Sequence, residues 1–232
     1  MSLDRAELPS RGPNESPLPG ILQPKMLAVE RLIAPRSGFK HRLAGVVLRL
    51  GGWTPDGAPP ALPRYVIVAA PHTWWWDSVW MLAFAWWWGL RVRWLLKSSL
   101  MKGPLDWFFR RLGAVPVDRS ASHGLVGALV AELARHPEIV LSIAPEGTRA
   151  RGRWWRSGFY HLVREARVPL CLAYLDYGRQ RGGFGPCFTP CGDVGADMDV
   201  LRDFYRDVQG RHPERFTPPR LREEDDAVSA KG

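Results

Sequence analysis

Cysteine is scarce in this sequence: three among 232 residues, too few for a disulfide framework. An apolar leader is missing as well. Residues 1–20 are polar and proline-rich, so no secretory signal is expected and the cytosolic side is the default. The longest apolar run, Val79 to Leu90, is about a dozen residues, short of the roughly 18 to 20 that a helix needs to span a bilayer. Peripheral or monotopic attachment is therefore expected in place of a transmembrane helix. No internal repeat is found. Acidic residues are the minority charge, 23 against 32 Lys and Arg, for a formal charge of +9. That balance favours an anionic partner: a bilayer surface, a nucleic acid or a phosphorylated substrate.

Tryptophan is what the chain has in excess, 12 in all. Nine of these fall between Trp74 and Trp107, interleaved with Arg91, Arg93, Lys97, Lys102, Arg110 and Arg111. Indoles beside Lys and Arg are enriched where proteins meet the membrane–water interface, although the same mixture can stack nucleic-acid bases.

The proline-rich residues 1–24 read as a disordered lead, and residues 26–50 as two short helices broken near Pro35, the second carrying basic residues beside an apolar stripe. From residue 64 strands and helices alternate. RYVIVAA, VRWLL, EIVLSIA and VPLCLAYLDY read as strands and AVPVD as a strand or turn; Asp77 to Trp88, PLDWFFRRLG, HGLVGALVAELARH and SGFYHLVREA read as the helices between them. This pattern predicts an α/β fold with a mostly parallel central sheet flanked by helices, and a ligand-binding site beyond the carboxyl ends of the strands. Residues 178–193 are turn-rich, ADMDVLRDFYRDVQG closes the domain as a helix, and residues 211–232, with the run EEDD, read as a loose acidic tail. The domain is thus expected over 25–210.

Two loops carry the chemistry. Pro71 ends the strand RYVIVAA and delivers His72 to the carboxyl edge of the sheet. With His72 in the loop and Asp77 in the first helical turn, the carboxylate can fold back onto the imidazole. That contact would fix the tautomer and stabilise the imidazolium, as in a working general base. The second loop, APEGTRARGRWW, follows EIVLSIA and should emerge at the same edge. It offers Glu146, Gly147, Thr148 and Arg149, with Arg151, Arg153 and Arg156 behind. An arginine fork suits a phosphate, and the glycine allows close backbone approach. Arg151, Arg153 and Arg156 individually read as members of a solvated basic turn.

The stretch HTWWWD at 72–77, EGTR at 146–149 about 70 residues later, GAVPVDR at 113–119 between them and VPLCLAY at 168–174 after them together resemble the glycerolipid acyltransferase family, which includes 1-acyl-glycerol-3-phosphate acyltransferases. The resemblance covers roughly residues 40 to 190. It implies His72 as general base on the acceptor hydroxyl, Asp77 as its orienting partner, and Arg149 on the acceptor phosphate, within the Glu146–Arg149 block. Arg119 matches a second phosphate arginine, and Lys97 in KSSL matches a lysine that precedes that block. Pro116 stands where the family has Phe, Pro71 where it has Asn, and Trp74 where it commonly has Ser; these departures bear on the acceptor.

The chemistry the resemblance implies is attack of a lipid hydroxyl on an acyl thioester, with acyl-CoA or acyl carrier protein as donor, and no metal or other cofactor. An acyl-enzyme is not expected: no G-x-S-x-G elbow is present, and Cys171, Cys187 and Cys191 read as structural. The preferred acceptor is 1-acyl-glycerol-3-phosphate, a lysophospholipid, with another lysolipid such as a lyso-amino-acid lipid as the alternative. Trp74, Trp75, Trp76 and Trp86 to Trp88 would hold the site at headgroup depth on the cytosolic face of a bilayer or line an acyl groove, with Trp80 and about half of the others in the core. A non-catalytic membrane-binding module remains a competing reading. Nucleic acid is not an expected partner, since no binding motif for it is present.

Overall fold

The alternation of strands and helices becomes one seven-stranded sheet in the computed structural model, which describes residues 38–117 and 124–229. The lead, the first of the two expected N-terminal helices and Arg119 lie outside the described residues. The strands are β1 (Thr54–Asp56), β2 (Arg64–Ala70), β3 (Val92–Lys97), β4 (Ala114–Val117), β5 (Ile139–Ile143), β6 (Leu170–Asp176) and β7 (Arg181–Phe188), in the spatial order β1-β7-β6-β2-β5-β3-β4. β2 to β6 are parallel, β7 is antiparallel to β6, and β1 pairs in parallel with β7. This is a mostly parallel α/β fold.

The helices are α1 (Phe39–Leu50), α2 (Asp77–Trp87), α3 (Pro104–Arg111), α4 (Leu125–Arg135), α5 (Gly158–Ala166), α6 (Val194–Tyr205) and α7 (Arg222–Ser229). Side chains alternate across a strand, and β2 shows what that does here. Val66, Val68 and Ala70 pack with α4, α5 and α6 through Leu133, Phe159, Val163 and Leu201. Tyr65 and Ile67 pack on the other side with Leu48 of α1 and Ala83, Phe84 and Ala85 of α2. A strand buried on both faces is a continuous apolar run, which is how RYVIVAA reads.

α1 lies on α2 through Ala44 and Leu48, and His41 stacks on Trp87 at 4.4 Å while its Nδ1 meets the Trp87 carbonyl at 2.8 Å. Its opposite stripe, Phe39, Leu43, Val46 and Leu50, stays exposed. Among the described residues no helix is long and apolar enough to cross a membrane.

Two sequence expectations are corrected. The glycine- and proline-rich stretch after residue 178 contains β7, not only turns. Its glycines answer a packing need: a Cβ at Gly182 would overlap the Phe84 ring, and one at Gly185 the Phe204 ring. Cys187 of β7 lies opposite Cys171 of β6, and the two form a disulfide, a bridge that three cysteines did not suggest.

Residues 211–229 are likewise not loose. The Trp155 indole donates to the Thr217 carbonyl at 2.7 Å, the Trp154 indole to Asp225 at 2.9 Å, and Arg202 to Glu224 at 2.8 Å. Leu221 is fully buried in the core formed with α5 and α6. The acidic run is therefore consumed in contacts that local polarity could not reveal. Leu221→Ala is expected to destabilise the protein by roughly 2–5 kcal/mol in urea unfolding, the range for a buried Leu→Ala. A detached tail would give a change within about 0.5 kcal/mol.

Candidate active site

Four parallel strands end at one edge of the sheet, and each delivers part of the site. β2 leads into the loop holding His72, β3 ends at Lys97, β5 leads into Glu146 to Arg149, and β6 ends just before Tyr177. Between them lies a cavity of about 1150 Å³, lined by His72, Asp77, Lys97, Gly147, Thr148 and Arg149. Met81, Phe84, Leu96 and Leu129 supply apolar wall. The sequence-predicted residues that are described thus converge, with Glu146 apart from the lining.

Asp77 opens α2 and is almost fully buried. Its Oδ2 accepts the backbone N–H groups of Thr73 at 2.9 Å and Trp74 at 2.8 Å, so the carboxylate folds the 72–76 loop back onto the helix start. The same Oδ2 lies 3.4 Å from His72 Nδ1. Its Oδ1 accepts the Tyr177 hydroxyl at 2.6 Å. With Nδ1 turned to Asp77, Nε2 is the ring nitrogen left to take a proton, the division of labour of an oriented base.

Glu146 does not line the cavity with Gly147, Thr148 and Arg149. It is turned inward, 3% exposed, and its Oε1 accepts the His72 backbone N–H at 2.6 Å. Burial pushes its carboxyl up to about 7, against the opposing pull of the His72 and Thr217 backbone N–H groups and of His72 itself. A buried carboxyl in this position ties the two loops together, and an acid so placed has no reason to face an anion. Gly147, at φ 66°, turns the chain outward in the left-handed region that favours glycine. A Cβ there would come within 2.8 Å of Arg156 Cγ.

Arg156, expected in a solvated turn, instead packs over Gly147 and lines the cavity. Arg153 fits the expectation better, with its guanidinium exposed over the Trp154 ring. The C-terminal segment supplies what the sequence did not disclose: Arg215 lines the cavity, His212 donates its backbone N–H to Thr73 Oγ1 at 3.1 Å, and Thr217 Oγ1 accepts from Gly152 at 2.8 Å. It braces both loops. No local pattern pointed to this, because the contacts span about 65 and 139 residues of sequence.

The family model described as Acyltransferase matches residues 59–174, which run from before β2 into β6. The chain belongs to the acyltransferase family. Among solved structures, this acyltransferase is similar to the 1-acyl-sn-glycerophosphate (LPA) acyltransferase PlsC of Thermotoga maritima, at 14% identity over 72% of this chain and 74% of that one, with a TM-score of 0.49. No curated protein matches the chain significantly.

The tryptophans of the acyltransferase divide by position. Trp88 and Trp94 belong to the core, and Trp80 and Trp87 pack against it. Trp75 and Trp76 are exposed beside His72, and Trp107 on α3 is the most exposed of all, with Leu100, Leu105 and Phe108 also outward. Trp74 lies between, in ring contact with Trp75, Trp76 and Tyr177 and under the Arg211 guanidinium.

Proposed function

We propose that this acyltransferase moves a fatty acyl group from acyl-CoA or acyl carrier protein to the free hydroxyl of a lysophospholipid, 1-acyl-glycerol-3-phosphate, giving phosphatidic acid. The observation that carries the reading is the His72–Asp77 pair at a cavity that also holds Arg149 and Lys97. His72 Nε2 takes the proton of the acceptor hydroxyl as its oxygen attacks the thioester carbonyl carbon. The C–O bond forms, the C–S bond breaks, and the departing sulfur receives the proton from the imidazolium. No metal or other cofactor enters this sequence.

Arg149, Lys97 and Arg119 are assigned to the acceptor phosphate, for which a guanidinium fork is the better geometric match. Gly147 and Thr148 shape the backbone around it. The apolar wall formed by Met81, Phe84, Leu96 and Leu129 suits an acyl chain. The exposed indoles of Trp75, Trp76 and Trp107, with the outward stripe of α1, fit peripheral attachment to the cytosolic face of a bilayer from which the lipid is drawn. Membership in an enzyme family and the presence of a base at the cavity both weigh against a purely binding role.

The test is an acceptor panel with the purified wild type and Arg149→Ala. Arg149→Ala is expected to raise KM for 1-acyl-glycerol-3-phosphate by roughly tenfold to a hundredfold, the scale of a lost charge-assisted contact, and to leave phosphate-free lysolipids unaffected. If the wild type prefers a lyso-amino-acid lipid, the chemistry stands and the phosphatidate assignment falls.

A further inference from the structure

Asp77 is held by more than the loop that precedes it. Thr73 and Trp74 occupy Oδ2 with backbone N–H groups, and Oδ2 also faces His72; among the described residues it is Tyr177, arriving from the end of β6 a hundred residues away, that holds Oδ1. The torsion that turns a carboxylate about its own axis is broad in aspartate, so the loop alone leaves that rotation soft. A donor on the second oxygen fixes it. We propose that Tyr177 is a positioning residue of the transfer reaction: its hydroxyl clamps Asp77 so that Oδ2 stays aimed at His72 Nδ1.

The surroundings of Tyr177 are built for such a role. Its ring is packed edge-on against Trp53 at 4.8 Å and against Trp74 at 6.5 Å. Its backbone N–H is fixed to the Gln209 carbonyl at 2.8 Å. Burial and the Asp77 carboxylate both favour the protonated phenol, so the group remains a donor. Residue 177 also falls just outside the span 59–174 matched by the family model. The clamp therefore joins the motif-bearing part of the chain to a residue beyond it, and through Gln209 to the C-terminal segment that braces the loops.

The inference rests on the acyl-transfer reading, and Tyr177→Phe tests it because the ring and its packing are kept while the hydroxyl is removed. The expected result is a kcat lowered about tenfold, the scale of one hydrogen bond to a charged group, with KM for donor and acceptor unchanged within about twofold. In an Asp77→Asn background the same substitution should have little further effect, because the group it acts through is already altered. Tyr160→Phe, which removes a phenol from Asp197, neither residue being part of the cavity lining, should leave kcat as it is.

A second readout needs no substrate. With histidines labelled in nitrogen-15, the His72 ring signals, identified by their loss in His72→Ala, should move in Tyr177→Phe and stay in place in Tyr160→Phe. Wild-type kcat in Tyr177→Phe, an undiminished tenfold loss on top of Asp77→Asn, or unmoved His72 signals would each overturn the proposal. Absence of turnover in the wild type with every donor and acceptor would overturn the acyl-transfer reading instead, and the ring signals would still decide whether Tyr177 orients the pair.

Discussion

Alanine in place of His72 is expected to lower acyl transfer by roughly 10²–10⁴-fold, the contribution typical of a general base, while leaving the folded structure intact. The separation between activity and stability follows from which atoms of His72 do what. Its side chain is about a quarter exposed, facing the cavity, whereas the contact that ties its loop to the second loop is made by its backbone N–H to Glu146. Alanine keeps that contact. Thermal unfolding of His72→Ala should therefore fall within a few degrees of wild type, as for substitutions away from buried features. Asp77 would be a poorer first choice, because its carboxylate caps the loop and accepts from Tyr177, so its loss mixes chemistry with folding.

The second large effect is on stability, and it belongs to Glu146. An ordinary glutamate titrates near 4.5, and burial raises this one to about 7. In the unfolded chain the carboxyl ionises between these values while the folded protein still holds the proton. Stability is therefore fully present below about 4.5 and is lost as pH rises towards about 7, by up to about 3 kcal/mol for this single group. Glu146→Gln keeps an oxygen acceptor for the His72 N–H and removes the titration. Urea unfolding of wild type and Glu146→Gln at pH 5 and pH 8 should show the variant gaining on the wild type at pH 8 by a few kcal/mol. An equal difference at the two pH values would mean that Glu146 ionises in the folded state as it does in the unfolded chain.

Much of this architecture was legible in the sequence where signals are local. RYVIVAA reads as a strand buried on both faces and is one; Pro71 ends it; the apolar helix from Asp77 and the glycine at 147 fall where the pattern put them. The pairing of His72 with Asp77 also followed from placing one in a loop and the other in a first helical turn. What could not be read were partners remote in the chain. β7 looked like a turn because its glycines accommodate rings from α2 and α6. The residues after 211 looked loose because a single leucine, Leu221, and a few polar groups anchor them. Glu146 was grouped with its neighbours as a phosphate contact, yet adjacent residues in a turning loop point in different directions, and only the fold shows that it faces His72.

The same remoteness explains why Tyr177 and Arg215 went unnoticed. Tyr177 follows the apolar strand β6 but carries no motif of its own, and Arg215 reaches the site through the C-terminal segment. His72, Lys97 and the loop of Arg149 also follow strands that lie next to one another or one apart in the sheet, and there the apolar run is joined to residue types that suggest chemistry.

The most direct measurement is the stoichiometry of transfer. Purified protein, mixed in detergent with acyl-CoA and 1-acyl-glycerol-3-phosphate, should release free thiol and form the doubly acylated phospholipid in equal amounts, with both signals vanishing when either substrate or His72 is removed. Thiol release without acylated lipid, or product formation undiminished in His72→Ala, would contradict a hydroxyl acceptor activated by His72.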